Sequence, residues 1–132
     1  MDQFSNFIST LLASRTQAHI FHLQSPSFAQ HTALNDYYDG IIPLVDALVE
    51  SYQGAYGILK GYTSPASFKE DNTSVVYFEA LSRFVTQMRT KIPQDSFLQN
   101  QVDEVISLIE STKYKLINLH ENAKRRKGNL LR

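Results

Sequence analysis

Apolar residues recur along the chain at intervals of three and four, and no sustained apolar–polar alternation competes with that period. The first run predicts a helix over residues 3–24. Phe4, Phe7, Ile8, Leu11, Leu12, Arg15, Ala18, His19 and His22 form one stripe that becomes histidine-bearing at its end. Asp2 or Ser5 is available to cap its start. Ser25-Pro26-Ser27 reads as a turn, with Ser25 as the next cap. A second helix is expected over about 27–59, on a stripe of Phe28, His31, Leu34, Asn35, Tyr38, Ile41, Ile42, Val45, Leu48, Val49 and Tyr52. Pro43 lacks an N–H and predicts a kink in its middle, with two shorter helices as the alternative. Residues 61–73 are the longest non-periodic link, in which 66–70 could form a turn of helix across the end of the bundle. A third helix over about 74–91 follows from Val75, Phe78, Leu81, Val85, Met88 and Ile92. A fourth, over about 96–119, follows from Leu98, Val102, Val105, Leu108, Ile109, Thr112, Leu116 and Leu119. The outline is all-α, a four-helix bundle with a longer central crossover between two tight hairpins.

A length of 132 residues with 42% hydrophobic and 20% charged positions suits one ordinary domain with a core. Residues 1–123 are expected to form the bundle and 124–132 a basic C-terminal tail. Formal net charge is zero but unevenly spread, because Lys124, Arg125, Arg126, Lys127 and Arg132 supply five of the thirteen basic residues. The body is therefore acidic. With no cysteine, thiolate ligands and disulfides are excluded, and any metal must be held by His and carboxylate. The N-terminal residues lack a basic signal-peptide start, and no apolar run reaches the roughly 18 residues a membrane span needs. A cytoplasmic protein without membrane contact is the expectation.

Candidate chemistry concentrates between His19 and Glu50. This stretch holds three of the four histidines and four of the thirteen acidic residues, and no Lys or Arg occurs between Arg15 and Lys60. His19 and His22 are three apart near the end of the first helix. His31 begins the second, and Asp46 and Glu50 lie four apart further along it. Two histidines ending one helix and a His…Asp-x-x-x-Glu face on the next suit a nitrogen-and-oxygen site for a transition metal. The alternative is a polar helix pair whose histidines only cap or pack.

These residues resemble those of the ferritin-like superfamily, and within it the DNA-protecting mini-ferritins (Dps-like). The pattern shared with them is H-I-F-H-L at residues 19–23, the loop aromatic Phe28, the second-helix His31, and the acidic pair Asp46 and Glu50. The likeness covers roughly residues 10–54, and it extends to small ferritin-like proteins encoded by phages. Three departures stand out. Leu23 replaces the family's tryptophan, Asn35 stands where an aspartate is usual, and the loop is about three residues shorter if His22 is the ligand; aligned without a gap, His19 takes that role. The resemblance implies a metal site of His19 or His22, His31, Asn35, Asp46 and Glu50, binding iron or another divalent transition metal and capable of ferroxidase activity. It also implies that histidines and acids meet across a homodimer, so that the chain is at least a dimer. An intramolecular di-iron centre is not expected, since neither Glu79 nor Glu110 has a His three positions on.

The remaining candidates have simpler readings. His120 suits a helix C-terminus. Tyr37, Tyr38, Tyr52 and Tyr56 suit core or interface positions, with Tyr38 also placed to donate a hydrogen bond near a metal. DNA contact through Lys124, Arg125, Arg126 and Lys127 is open by charge alone but not favoured, given the acidic body. The alternative to a metal protein is a non-catalytic helical structural or interaction protein acting through its oligomer surface or basic tail.

Overall fold

The computed structural model of the chain describes residues 3–71 and 73–119. Four helices occur among them: α1 (Gln3–Gln24), α2 (Phe28–Tyr56), α3 (Ser74–Met88) and α4 (Ser96–Asn118). Asp2, His120 and the basic segment 124–132 lie outside the described residues. Contacts join α1 to α2, α2 to α4, α4 to α3 and α3 to α1, so the helices occupy the corners of a four-membered ring.

The core stripes of α3 and α4 fall largely as the periodicity predicts, with Phe78, Leu81, Val85 and Met88 buried against Leu98, Val102, Val105, Ile109 and Leu116. Val75 and Leu108 are only partly buried, and Leu119, just past the end of α4, is exposed. Helix α2 differs in phase. Ala33, Leu34, Tyr37, Ile41, Val45 and Leu48 are buried, whereas Phe28 is 73% exposed. The core line thus runs through Tyr37, and His31, Asn35 and Tyr38 fall at its edge. Helix α2 passes through Pro43 as one element. Its N-cap is Ser27, whose hydroxyl accepts from the Gln30 N–H at 3.2 Å, and not Ser25, which accepts from the Ser27 N–H inside the turn. Gly57 ends it at φ +93°, a backbone that residues with a Cβ rarely adopt.

Helix α1 departs furthest from its expected single stripe. Beside Phe4, Phe7, Ile8, Leu11, Ala18 and Phe21 it buries Ser5, Ser9, Ser14 and Gln17. Ser5 is therefore an interior residue and no cap. The polar positions meet the crossover. Gly61, at φ +94°, comes so close that a Cβ there would lie 3.3 Å from the Ser5 hydroxyl. The Thr63 N–H donates to Ser9 Oγ at 2.9 Å. Gln17 then binds the Lys69 peptide twice, accepting from its N–H at 2.8 Å and donating to its carbonyl at 2.9 Å. Both backbone polar groups of Lys69 are taken by a side chain, which removes them from any helical turn. Residues 66–70 accordingly form no helix and lie along α1 instead of across the end of the bundle. The crossover advances along α1 from Ser5 toward Gln17, so α3 starts beside the end of α1 and runs antiparallel to it. Helices α1 and α4 run one way, α2 and α3 the other.

Inside this ring one buried polar pair is fully determined. The Ser14 hydroxyl donates its only proton to the Leu11 carbonyl at 2.7 Å, so the 2.6 Å contact with Tyr37 has the phenol donating to Ser14. Burial pushes the Tyr37 phenol up from its ordinary value, so it stays protonated and donates to Ser14. Ser14→Ala should leave a buried phenol without an acceptor and cost about 1–3 kcal/mol in urea unfolding. Tyr37→Phe should cost less, and adding it to Ser14→Ala should cost less than the sum of the two.

Candidate functional site

The first helical corner brings the three histidines of the central stretch to one place. His22 is buried near the end of α1, and His31 sits in the first turn of α2. Each ring hydrogen-bonds the other residue's backbone: His22 Nδ1 to the His31 carbonyl at 2.7 Å, and His31 Nδ1 to the His22 carbonyl at 3.0 Å. A carbonyl oxygen only accepts, so Nδ1 carries a proton in both rings. In the neutral rings Nε2 then holds the lone pair, the arrangement used by many metal-binding histidines. The short Ser25-Pro26-Ser27 turn makes the reciprocal pair reachable, because it sets the last turn of α1 directly beside the first turn of α2.

The rings of His22 and His31 stack with centroids 3.5 Å apart and planes 21° apart. Their in-plane lone pairs are therefore not aimed at a common point between them. His19 lies 5.9 Å from His22, centroid to centroid, and stacks on Tyr38 at 4.3 Å. Tyr38 donates to Asn35 Oδ1 at 2.7 Å, and Asn35 Nδ2 donates to Asp39 Oδ2 at 3.0 Å. Tyr38 and Asp39 thus fix both ends of the Asn35 amide. Asp36, its acidic neighbour, faces α4 and lies 3.7 Å from the Lys115 ammonium.

Asp46 and Glu50 are exposed, and no ion pair or hydrogen bond ties them to any other described residue. At a rise of about 1.5 Å per residue, Asp46 is about 22 Å along α2 from His31. One chain cannot close a site from both. At about 100° per residue, His31, Asn35, Ile42 and Asp46 nevertheless fall within about 60° on the α2 surface. Among the described residues no three His, Asp or Glu side chains come together in a way that could hold a metal ion. The histidines and the acids are thus two separate clusters on one side of α2.

The histidines were visible in the sequence, but Tyr38 as the link between His19 and Asn35 was not, nor was Asp39 as the partner of Asn35. The signal for the second was the i, i+4 spacing of Asn35 and Asp39. Long-range ¹⁵N–¹H correlation spectra at neutral pH should show His22 and His31 as Nδ1–H tautomers, with Nε2 as the unprotonated nitrogen. An Nε2–H form at either ring would contradict the reciprocal hydrogen bonds.

No helix among the described residues is long and apolar enough to cross a membrane. No curated protein matches the chain, and no solved structure does. A family model, described as a family of unknown function (DUF5856), matches residues 22–116, from the buried histidine at the α1–α2 corner to the last core leucine of α4. The chain belongs to that family of unknown function.

Proposed function

We propose that this is a ferritin-like metal-binding protein whose chain supplies the two halves of a His/carboxylate site to two different copies of itself. The observation that carries this reading is the His22–His31 pair, held with both Nδ1 atoms on backbone carbonyls and both Nε2 lone pairs left for a ligand. The exposed Asp46 and Glu50 support it from the other end of α2. Antiparallel pairing of two α2 helices about a point near Gly40 would set the acids of each copy opposite the histidines of the other. His22 and His31 would then offer nitrogen, Asp46 and Glu50 oxygen, and Asn35 a neutral oxygen held by Tyr38 and Asp39. His19, engaged with Tyr38, is the reserve ligand. Iron(II) or another divalent transition metal suits that donor set, and iron bound there would supply redox chemistry. The ring stack must open for both histidines to reach one ion.

The full-length protein should bind Co(II), Zn(II) or Fe(II) at about one or two ions per subunit near neutral pH. Binding should weaken toward about pH 5, because protons compete with metal for imidazole nitrogen. Asp46→Ala, Glu50→Ala and His31→Ala should each weaken it at least about tenfold, whereas Glu104→Ala on the exposed face of α4 should not. His22→Ala should cost more than His19→Ala; the reverse would give the ligand role to His19. A folded sample that takes up no ion, or that sediments as a monomer with and without metal, would overturn the shared site.

A second reading, a non-catalytic helical interaction protein, is favoured by one observation. Leu23 (71% exposed), Phe28 (73%) and Leu119 (48%) bring apolar surface to the end of the bundle where the histidines lie. A metal-free oligomer would favour it. Lys124, Arg125, Arg126 and Lys127 are read as a solubilising segment, so the full-length protein should not retard DNA even at low salt.

A further inference from the structure

Between its two attachments to α1 the crossover stands away from the helix. Thr63 is held by Ser9 and Lys69 by Gln17, and a cleft of about 410 Å³ opens between these fixed points. Its volume lies within the range of small-molecule pockets, roughly 300–1,000 Å³. Asn6, Thr10 and Ala13 form the α1 wall, Pro65 and Phe68 the crossover wall, and Tyr77 of α3 contributes from the third side.

The polar groups at this cleft are unevenly committed. Thr10 spends its proton on the Asn6 carbonyl at 2.9 Å, and both ends of the Gln17 amide are engaged by the Lys69 backbone. The Lys69 ammonium has no ion-pair partner, and the Tyr77 hydroxyl no hydrogen-bond partner, among the described residues. Burial pushes the Tyr77 phenol up from its ordinary value, so it stays protonated and can donate. Ser64 and Ser67 add hydroxyls to the lining, and no Asp or Glu side chain is part of it. A cation and a phenol donor on the acidic body of the chain, beside a proline and a phenylalanine, call for a ligand with one anionic end and an apolar body. A single ammonium matches a carboxylate; a phosphate dianion is ordinarily met by several cations or an arginine fork.

We propose that the cleft between α1 and the crossover binds a small carboxylic acid, its carboxylate on the Lys69 ammonium and the Tyr77 hydroxyl and its aromatic or aliphatic body against Phe68 and Pro65. The site is independent of the histidine corner. At about 100° per residue, Asn6, Thr10, Ala13 and Gln17 occupy the side of α1 roughly opposite His19 and His22.

Benzoate is the probe, with benzyl alcohol as its uncharged counterpart and phenyl phosphate as the dianion. Chemical-shift titrations on the full-length protein, with chelator present to silence any metal site, should show saturable benzoate binding centred on Phe68, Lys69 and Tyr77. The dissociation constant should be millimolar or tighter, about tenfold below that for benzyl alcohol, and phenyl phosphate should bind no better than benzoate. Lys69→Gln removes the charge but keeps the peptide that Gln17 holds, and Tyr77→Phe removes only the hydroxyl. Each should weaken benzoate at least about threefold while the spectrum away from the cleft is unchanged. No saturation by roughly 10 mM benzoate would overturn the proposal. So would equal affinity for benzyl alcohol, tighter binding of phenyl phosphate, or benzoate affinity indifferent to Lys69→Gln.

Discussion

Helix α1 must satisfy two surfaces at once, and the arrangement of the other elements follows from that. Its apolar face is buried in the core by Phe4, Phe7, Ile8 and Leu11, while Ser5, Ser9 and Gln17 are covered by the crossover. Buried hydroxyls and amides without partners are costly, so the crossover has to present backbone groups where they stand. Thr63 and Lys69 do so, and the Gln17 amide closes two hydrogen bonds on the backbone of a single residue. With the crossover bound along the length of α1, α3 can only begin at the far end. Helix order, the antiparallel neighbours and the open cleft are consequences of that one strip of contact.

At the opposite edge of α1 the constraint is the three-residue turn into α2. It is too short to separate the helices, so His22 and His31 meet side by side and exchange hydrogen bonds with each other's carbonyl. The carbonyl at the end of α1 and the one at the start of α2 are thereby served by side chains of the neighbouring helix. This gives the histidines a structural role whether or not an ion is present. Helix fastening uses Nδ1 of each ring, and the proposed metal coordination would use Nε2.

Much of the bundle was legible in the sequence because a 3.6-residue period is a property of one helix at a time. The bounds of α1 and the stripes of α3 and α4 needed no knowledge of their neighbours. Helix α2 was legible in extent but not in phase, since two tyrosines and a run of apolar pairs allow the stripe to pass through Tyr37 or Tyr38. The serine at position 14 decides for Tyr37, and its position across the core is a tertiary fact. The crossover was illegible for the same reason. Residues 66–70 have the composition of a helical turn, and only Gln17, 52 residues before Lys69, holds that peptide in another conformation. The visible trace of this on α1 was the recurrence of Ser5, Ser9, Ala13 and Gln17 at four-residue intervals, a small polar stripe beside an apolar one. Of the candidate site, the histidines were legible as a spacing across a turn, but the stacking of their rings and the tie from Tyr38 to Asn35 depend on how α1 and α2 meet.

Charge links the acidic face of α2 to the proposed pairing of two copies. Asp36, Asp39, Asp46 and Glu50 are all exposed on that helix, and only Asp36 has a cation, Lys115, within 4 Å among the described residues. Two such helices laid antiparallel would bring like charges together, which at short range and reduced dielectric costs several times its value in bulk water. Hydrophobic contact through half-buried residues such as Ile42 and Val49 would have to compete with that repulsion. In the proposed dimer, a divalent ion between His31 of one copy and Asp46 and Glu50 of the other would reverse the sign of the interaction at both ends of the contact. On this reading assembly and metal uptake are one equilibrium, because the ion supplies the attraction that the acidic helix face lacks.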